Sequence, residues 1–281
     1  MHLMPGTLVL CATPIGNLGD ASPRLNDALE TADVIFAEDT RRTGQLLNHL
    51  GVKTPMRSYF AGNEIARNRE LGRLLAEGKT VALVSDAGMP VVSDPGLSAV
   101  NVAVECNATV TAIPGPSAPT MAIALSGFSG DRFVFDGFLP RKGADRSGAI
   151  AAIASEQRAT VLFSATRRAA ADITDLAGAL DPSRRIVVAR ELTKLHEEVW
   201  RGTLAEAAEH WASREPKGEF TLVIEGANEV GPDLDTAKSM VKVRMGDGLP
   251  MSGAVKEVAE ATGVSRRELY DAVLKASGDG S

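Results

Sequence analysis

Five acidic residues, Asp20, Glu38, Asp39, Asp86 and Asp94, occur in loops that each follow a short apolar run. The loops read Thr13-Pro14-Ile15-Gly16-Asn17-Leu18-Gly19-Asp20 and Glu38-Asp39-Thr40-Arg41-Arg42, then Ser85-Asp86-Ala87-Gly88-Met89-Pro90 continuing to Ser93-Asp94-Pro95-Gly96. A fourth, Pro114-Gly115-Pro116-Ser117-Ala118, carries no acid. Carboxylates so placed can hold a cation or take up a proton, and Asp20, Asp39 and Asp94 also fit the simpler role of helix caps. They would repel a triphosphate unless metal were present. The pattern G-x-x-x-x-G-K-[ST] is absent, and the first loop does not match G-x-G-x-x-G. A cationic ligand suits this composition, and a nucleoside bearing a sulfonium and an ammonium meets the description. Gly16 and Gly19 would let the backbone approach such a ligand closely.

Other reactive side chains are sparse. Cys11 and Cys106 are too few and too far apart for a disulfide framework or a zinc site, and both are expected to be reduced and buried. The histidines at 2, 49, 196 and 210 lack ligand spacing, so no metal is expected. The net charge of −6 argues mildly against nucleic-acid binding by the chain as a whole, so RNA contact would have to rest on local basic patches.

These loops need elements to position them. The 281 residues suffice for two domains, with a core of Ala, Val, Leu and Ile because aromatics make up only 4%. The first half alternates apolar runs at 7–12, 34–37, 81–84 and 109–113 with helical patterns at 23–32, 40–50, 63–77 and 118–125. That alternation predicts an α/β fold with a mostly parallel sheet covered on both faces. Ligands then bind along the edge where the strands' carboxyl ends meet, so the four loops are expected to converge there.

Gly127–Asp131 marks a boundary between an N-terminal α/β domain at 6–127 and a C-terminal one at 131–226. In the second, strand signals recur at 133–135, 160–163, 185–189, 197–202 and 220–224, and Thr203-Leu204-Ala205-Glu206 has the form of a capping box. Residues 227–237 read as a linker, and 238–277 as a helix-turn-helix in which Ser265-Arg266-Arg267-Glu268 forms a second box. The N-terminus has no secretory pattern and no run approaches the ~18 apolar residues of a spanning helix, so a soluble cytoplasmic protein is expected.

The loop motifs, together with Gly137-Phe138-Leu139-Pro140, Arg190-Glu191-Leu192-Thr193-Lys194, Gly202 and Gly218-Glu219, resemble those of the ribosomal RNA small-subunit methyltransferase I family. That family lies within the tetrapyrrole-methylase fold group. The resemblance covers about residues 6–226, and the tail is similar to the family's C-terminal helix-turn-helix. It implies two α/β domains with S-adenosylmethionine in the cleft between them, usually a homodimer. The implied reaction is methylation of a cytidine ribose 2′-oxygen in the decoding region of 16S rRNA, on the small ribosomal subunit. By position it implies Pro14, Ile15, Gly16, Asp86, Ala87, Gly88, Ser117, Ala118 and Phe163 as donor-binding residues. This chain departs from the family at Tyr59-Phe60-Ala61-Gly62, where a histidine-containing stretch is usual, and at Leu162-Phe163-Ser164-Ala165-Thr166-Arg167-Arg168, which lacks the family's Glu and His.

A ribose hydroxyl attacks poorly until it loses its proton, which calls for a base. Glu38 and Asp39 are the candidates, with Arg41 orienting them or gripping a phosphate; a capping role at the helix starting at Thr40 is equally consistent. Arg41, Arg42, Arg141, Lys142, Arg146, Arg167 and Arg168 are candidate RNA contacts, since a guanidinium matches phosphate through its fork. With few aromatics, a base-stacking platform is not expected. Two other readings are a tetrapyrrole or diphthamide methyltransferase of the same fold, and a DNA-binding regulator using the tail. Weak basic character in the tail disfavours the regulator.

Overall fold

The computed structural model describes residues 5–214, 217–228 and 234–278. Two compact units emerge, Met1–Gly226 and Ala227–Ser281. The first holds two sheets. Strands β1 (Thr7–Cys11), β2 (Val34–Ala37), β3 (Met56–Ser58), β4 (Thr80–Val84) and β5 (Thr109–Ile113) form a parallel sheet in the order β3-β2-β4-β1-β5.

Both faces of this sheet are apolar, which explains the continuous hydrophobic runs. Val9, Cys11, Ile35, Ala37, Ala82 and Val84 point to one core with Leu25, Leu29, Leu46 and Leu47. These leucines come from α1 (Pro23–Thr31) and α2 (Thr40–Leu50). The alternate residues Leu8, Val34, Phe36, Val81 and Leu83 meet α3 (Glu64–Ala76) and α4 (Leu97–Glu105) on the other face. Local signals start and stop these helices. Ser22 Oγ accepts the Leu25 N–H at 3.1 Å ahead of α1, and Gly51, at φ 75°, closes α2. Two elements have weak sequence signals. Strand β3 is too short to show a period, and α4 is apolar nearly all round, with no side-chain cap at Gly96.

Helix α5 (Ala118–Ser126) leads into the second sheet, of β6 (Phe133–Phe138), β7 (Ala159–Ser164), β8 (Arg185–Arg190), β9 (Glu198–Thr203) and β10 (Phe220–Ile224). Its order is β6-β7-β10-β8-β9, and β6–β7 is the parallel pair while the other pairs are antiparallel. So this half is a mixed sheet rather than a repeat of the first. Helices α6 (Gly143–Ser155), α7 (Ala169–Ala179) and α8 (Leu204–Ala212) cover one face around Leu162, Ile186, Val188 and Leu222. The other face, with Val161, Val187 and Val223, packs on Ala122 and Ile123 of α5 and on Ile15, joining the two sheets through one core.

The capping box at α8 forms fully: Thr203 Oγ1 accepts the Glu206 N–H at 3.2 Å, and Glu206 Oε2 accepts the Thr203 N–H at 2.8 Å. Thr203→Ala is expected to cost about 1 kcal/mol, read as a lower urea midpoint with an unchanged slope.

The second unit contains α9 (Leu234–Gly246), α10 (Met251–Thr262) and α11 (Arg266–Gly278) around Ala237, Val241, Ala254, Val255, Val258, Leu269 and Val273. Helix α9 opens at Leu234, inside the segment 227–237 read from composition as a linker, because burial of Ala237 and Val241 overrides weak local signals. Residues 229–233 of that segment lie outside the described residues. At α11 the Glu268 N–H donates to Ser265 Oγ at 3.4 Å. Cys11 is fully buried, and burial pushes its thiol up to about 12. Cys106, expected to be buried as well, is only partly so, because it sits at the end of α4.

Candidate active site

The carboxyl ends of the parallel strands converge with one edge of the second sheet around a cavity of about 370 Å³. The order β3-β2-β4-β1-β5 places this at the switch between outward-running neighbours, where open α/β sheets bind ligands. Each of the four loops contributes: Ile15 after β1, Glu38 after β2, Asp86 to Asp94 after β4, and Ser117 to Pro119 after β5. The second sheet adds Phe138 from β6, Phe163 to Thr166 from β7, Leu192 after β8 and Glu219 ahead of β10. Strand β10 runs antiparallel to β7 and β8, so its beginning meets their ends at the same edge.

Of the residues singled out from sequence, Ile15, Glu38, Arg42, Asp86, Ala87, Gly88, Ser117, Ala118 and Phe163 line the cavity. Pro14 and Gly16 do not. Gly16 packs instead against the loop after β8, where an added Cβ would fall 2.4 Å from Lys194 Cγ and 3.0 Å from the Leu192 carbonyl. Its smallness fits the seam between the two sheets. Gly88, at φ 82°, exchanges backbone hydrogen bonds with Thr13 and ties the first loop to the third. Ser117 stands at the N-cap of α5 without making a side-chain cap bond.

Asp39 and Arg41 also lie outside the cavity lining, for an electrostatic reason. Asp39 Oδ1 accepts the Arg41 N–H at 2.8 Å at the start of α2, and the Arg41 fork donates at 3.1 and 2.7 Å. That guanidinium holds the Asp39 carboxyl well below the usual carboxylate range. The capping role therefore accounts for Asp39. Glu38 faces inward, its Oε2 accepting the Asp86 N–H at 3.2 Å, and burial pushes its carboxyl up, with the Asp86 charge adding to the effect. Asp86 in turn accepts the Asp39 N–H at 3.0 Å and sits 3.5 Å from Arg42.

Among the expected RNA contacts, Arg141, Lys142 and Arg167 are exposed, while Arg168 pairs with Asp172 at 3.3 Å. Arg146, expected as an RNA contact, is instead buried and bonded to Asp172, Asp175 and the Pro140 carbonyl. Its guanidinium is consumed by structure.

Several lining residues fall in the quoted segments without a site role assigned to them, namely Met89, Phe138, Thr166, Leu192 and Glu219, and Val92 lies outside those segments. Asp94 stood out only as one more loop acid. In the structure its carboxyl is pushed up to about 6, chiefly by burial and further by the charges of Glu38 and Asp86, while the nearby Ser85 hydroxyl donates to the Gly88 carbonyl at 3.5 Å. Its loop is strained, with Val91 at φ 77° and Ser93 at φ 64°, and Glu191 and Thr193 flank Leu192 at φ 53° and 68°. Such conformations cost roughly 1–3 kcal/mol each and persist where surrounding contacts enforce them. Here Glu64 supplies two: its carboxylate accepts the Gly96 N–H at 3.2 Å and the Ser98 hydroxyl at 2.9 Å. Tyr59 Oη lies 2.9 Å from both Ser98 Oγ and Asn68 Oδ1, so the divergent 59–62 segment buttresses this loop from behind.

Comparison with known proteins places this geometry. The profile described as Tetrapyrrole (Corrin/Porphyrin) Methylases matches residues 7–208, and that of the RsmI C-terminal HTH domain matches 232–277. The chain is 45% identical to "Ribosomal RNA small subunit methyltransferase I" of Synechocystis sp., over 98% of this chain and 100% of that protein. It is 36% identical to the protein of that name from Escherichia coli O157:H7, over 97% and 96%. Among solved structures, uroporphyrin-III C-methyltransferase from Thermus thermophilus, in complex with S-adenyl homocysteine, has a TM-score of 0.56 at 17% identity, over 78% of this chain and 97% of that one. A diphthine synthase has 0.59 at 17%, over 78% and 89%. These structures share the fold.

Proposed function

The chain belongs to the tetrapyrrole methylase family and, within it, to the ribosomal RNA small subunit methyltransferase I group, and from that premise we propose the reaction it performs. It is an S-adenosylmethionine-dependent methyltransferase. It methylates the ribose 2′-oxygen of a cytidine in the decoding region of 16S rRNA, within the small ribosomal subunit. The observation carrying this reading is the cavity itself. Glu38, Asp86, Asp94 and Glu219 line a space in which, among the described residues, the one lining cation is Arg42, beside the apolar surfaces of Ile15, Phe138 and Phe163. A sulfonium and an ammonium need anions; an adenine needs apolar walls.

The donor, when bound, supplies an electrophilic methyl group with a good leaving group. The protein's share is positioning, since holding two reactants in line removes much of the entropic barrier. Glu38 and Asp86, each accepting an N–H from the other's loop region, form the anionic wall that orients the cationic donor. Ala87, Gly88, Ser117 and Ala118 line the cavity with small side chains that leave it room. Arg42 at the site, and Arg141, Lys142 and Arg167 on the exposed surface, are offered to phosphate. A homodimer belongs to this reading: strand β5 is exposed along Thr109–Ala112, and Leu97 and Val104 of the preceding helix are more than half exposed.

Purified protein with labelled S-adenosylmethionine should methylate small subunits from a strain lacking the gene. Mass spectrometry of that strain's 16S rRNA should lack one cytidine ribose methyl. Transfer to a corrinoid precursor but not to the subunit would refute the assignment.

A further inference from the structure

The hydroxyl that attacks must lose a proton, and the cavity holds several carboxylates. Their surroundings divide the work. Asp39 is outside the cavity and bound on both oxygens by Arg41. Asp86 is occupied by the Asp39 N–H and by Arg42, and Glu38 by the Asp86 N–H. Glu219 lies 3.1 Å from the Lys194 ammonium.

Asp94 differs from all of these. Among the described residues no guanidinium or ammonium is paired with it, and the charges that bear on it are the like charges of Glu38 and Asp86. It follows Ser93 in the strained loop, at the point where that loop meets the second sheet: a Cβ added at Gly137 would fall 3.0 Å from Ser93 Oγ. It is thus a cavity carboxylate with oxygens to spare, set at the seam between the sheets.

We propose that Asp94 is the catalytic base, accepting the ribose 2′-hydroxyl proton as methyl transfer proceeds. This rests on the reaction proposed above. As the O–H proton passes to an Asp94 carboxylate oxygen, an O2′ electron pair forms the bond to the methyl carbon. The carbon–sulfur bond breaks with its pair left on sulfur, giving the neutral thioether, and Asp94 later returns the proton to water. The charged groups that line the cavity with Asp94 are Glu38 after β2, Asp86 from its own loop, Arg42 from α2 and Glu219 ahead of β10, and of these Glu38 and Asp86 act on its charge. Glu64 of α3 holds the Gly96 N–H behind it.

The test compares wild type, Asp94→Asn and Asp94→Glu. Calorimetry measures binding of S-adenosylhomocysteine, and single-turnover transfer to small subunits at saturating donor is followed across pH. Asp94→Asn should bind the thioether about as tightly as wild type, which also shows that it folds, yet transfer about 100-fold or more slowly. Asp94→Glu should recover part of the rate. Wild-type transfer should fall as pH drops through about 6, where the carboxylate is protonated. Wild-type transfer by Asp94→Asn, loss of thioether binding without loss of rate at saturation, or a wild-type rate that stays flat as pH drops through about 6 would each overturn the assignment. A wild-type enzyme that methylates no small-subunit RNA brings down the proposed reaction as well. An Asp94→Asn enzyme as fast as an active wild type brings down only the base.

Discussion

Arg146→Met is expected to lower the free energy of unfolding by about 3 kcal/mol, because it strands a buried carboxylate. Arg146 Nη2 donates to Asp172 Oδ1 at 2.8 Å, its Nε donates to Asp175 Oδ2 at 2.9 Å and its Nη1 to the Pro140 carbonyl at 3.0 Å. Removing one partner of a dry ion pair costs far more than the pair contributes, since the remaining charge keeps its desolvation penalty. The low end of the usual range applies here: the Asp175 side chain is 50% exposed, and Arg168 stays 3.3 Å from Asp172. The loss should also be felt at the cavity, where Ser164 donates to Asp172 Oδ2 at 2.6 Å and Pro140 follows Phe138. Urea unfolding of Arg146→Met and of Arg146→Met/Asp172→Leu tests the argument. The double variant should recover most of the loss, and a single variant that unfolds like wild type would show that the network is a weak surface pair.

Gly16→Val should weaken donor binding by about tenfold or more, equivalent to about 1.4 kcal/mol, and destabilise the protein by about 1–3 kcal/mol. The added side chain enters the loop after β8, against Thr193 Oγ1 and the Leu192 carbonyl. Lys194 has little freedom to yield, being paired with Glu191 at 2.8 Å and Glu219 at 3.1 Å. Leu192, which lines the cavity, would shift with the loop. Calorimetry and thermal melting together decide the matter. If Gly16→Val lost donor affinity while melting like wild type, Gly16 would serve ligand approach, as its sequence context suggested. Gly19→Ala is the control: its Cβ would meet only the Asn17 side chain, at 3.1 Å.

Much of the first sheet and its loops is legible from residues alone. Apolar runs of four to five residues define β1, β2, β4 and β5, and caps such as Ser22 and Gly51 bound the helices between them. A parallel sheet aligns its strand ends, so the convergence of Ile15, Glu38, Asp86 and Ser117 follows from connectivity. The mixed pairing of the second sheet was not legible. Strand direction depends on which neighbour each strand finds, and β8 and β9 read the same whether parallel or antiparallel to one another.

The α/β scaffold, the acidic loops and the kind of ligand they suit are therefore legible along the chain. Those follow from local periodicity, turn chemistry and charge, each readable within a dozen residues. Which acids are paired and which are not follows from the tertiary fold. Asp39 and Asp94 are both loop aspartates after strand ends, and nothing local separates them. Arg41 pairs with the first, while the second is buried beside Glu38 and Asp86 with no ion-pair partner among the described residues. Partnership of that kind is set by distance through space, and so is the clash that makes Gly16 necessary, since both depend on residues far away along the chain.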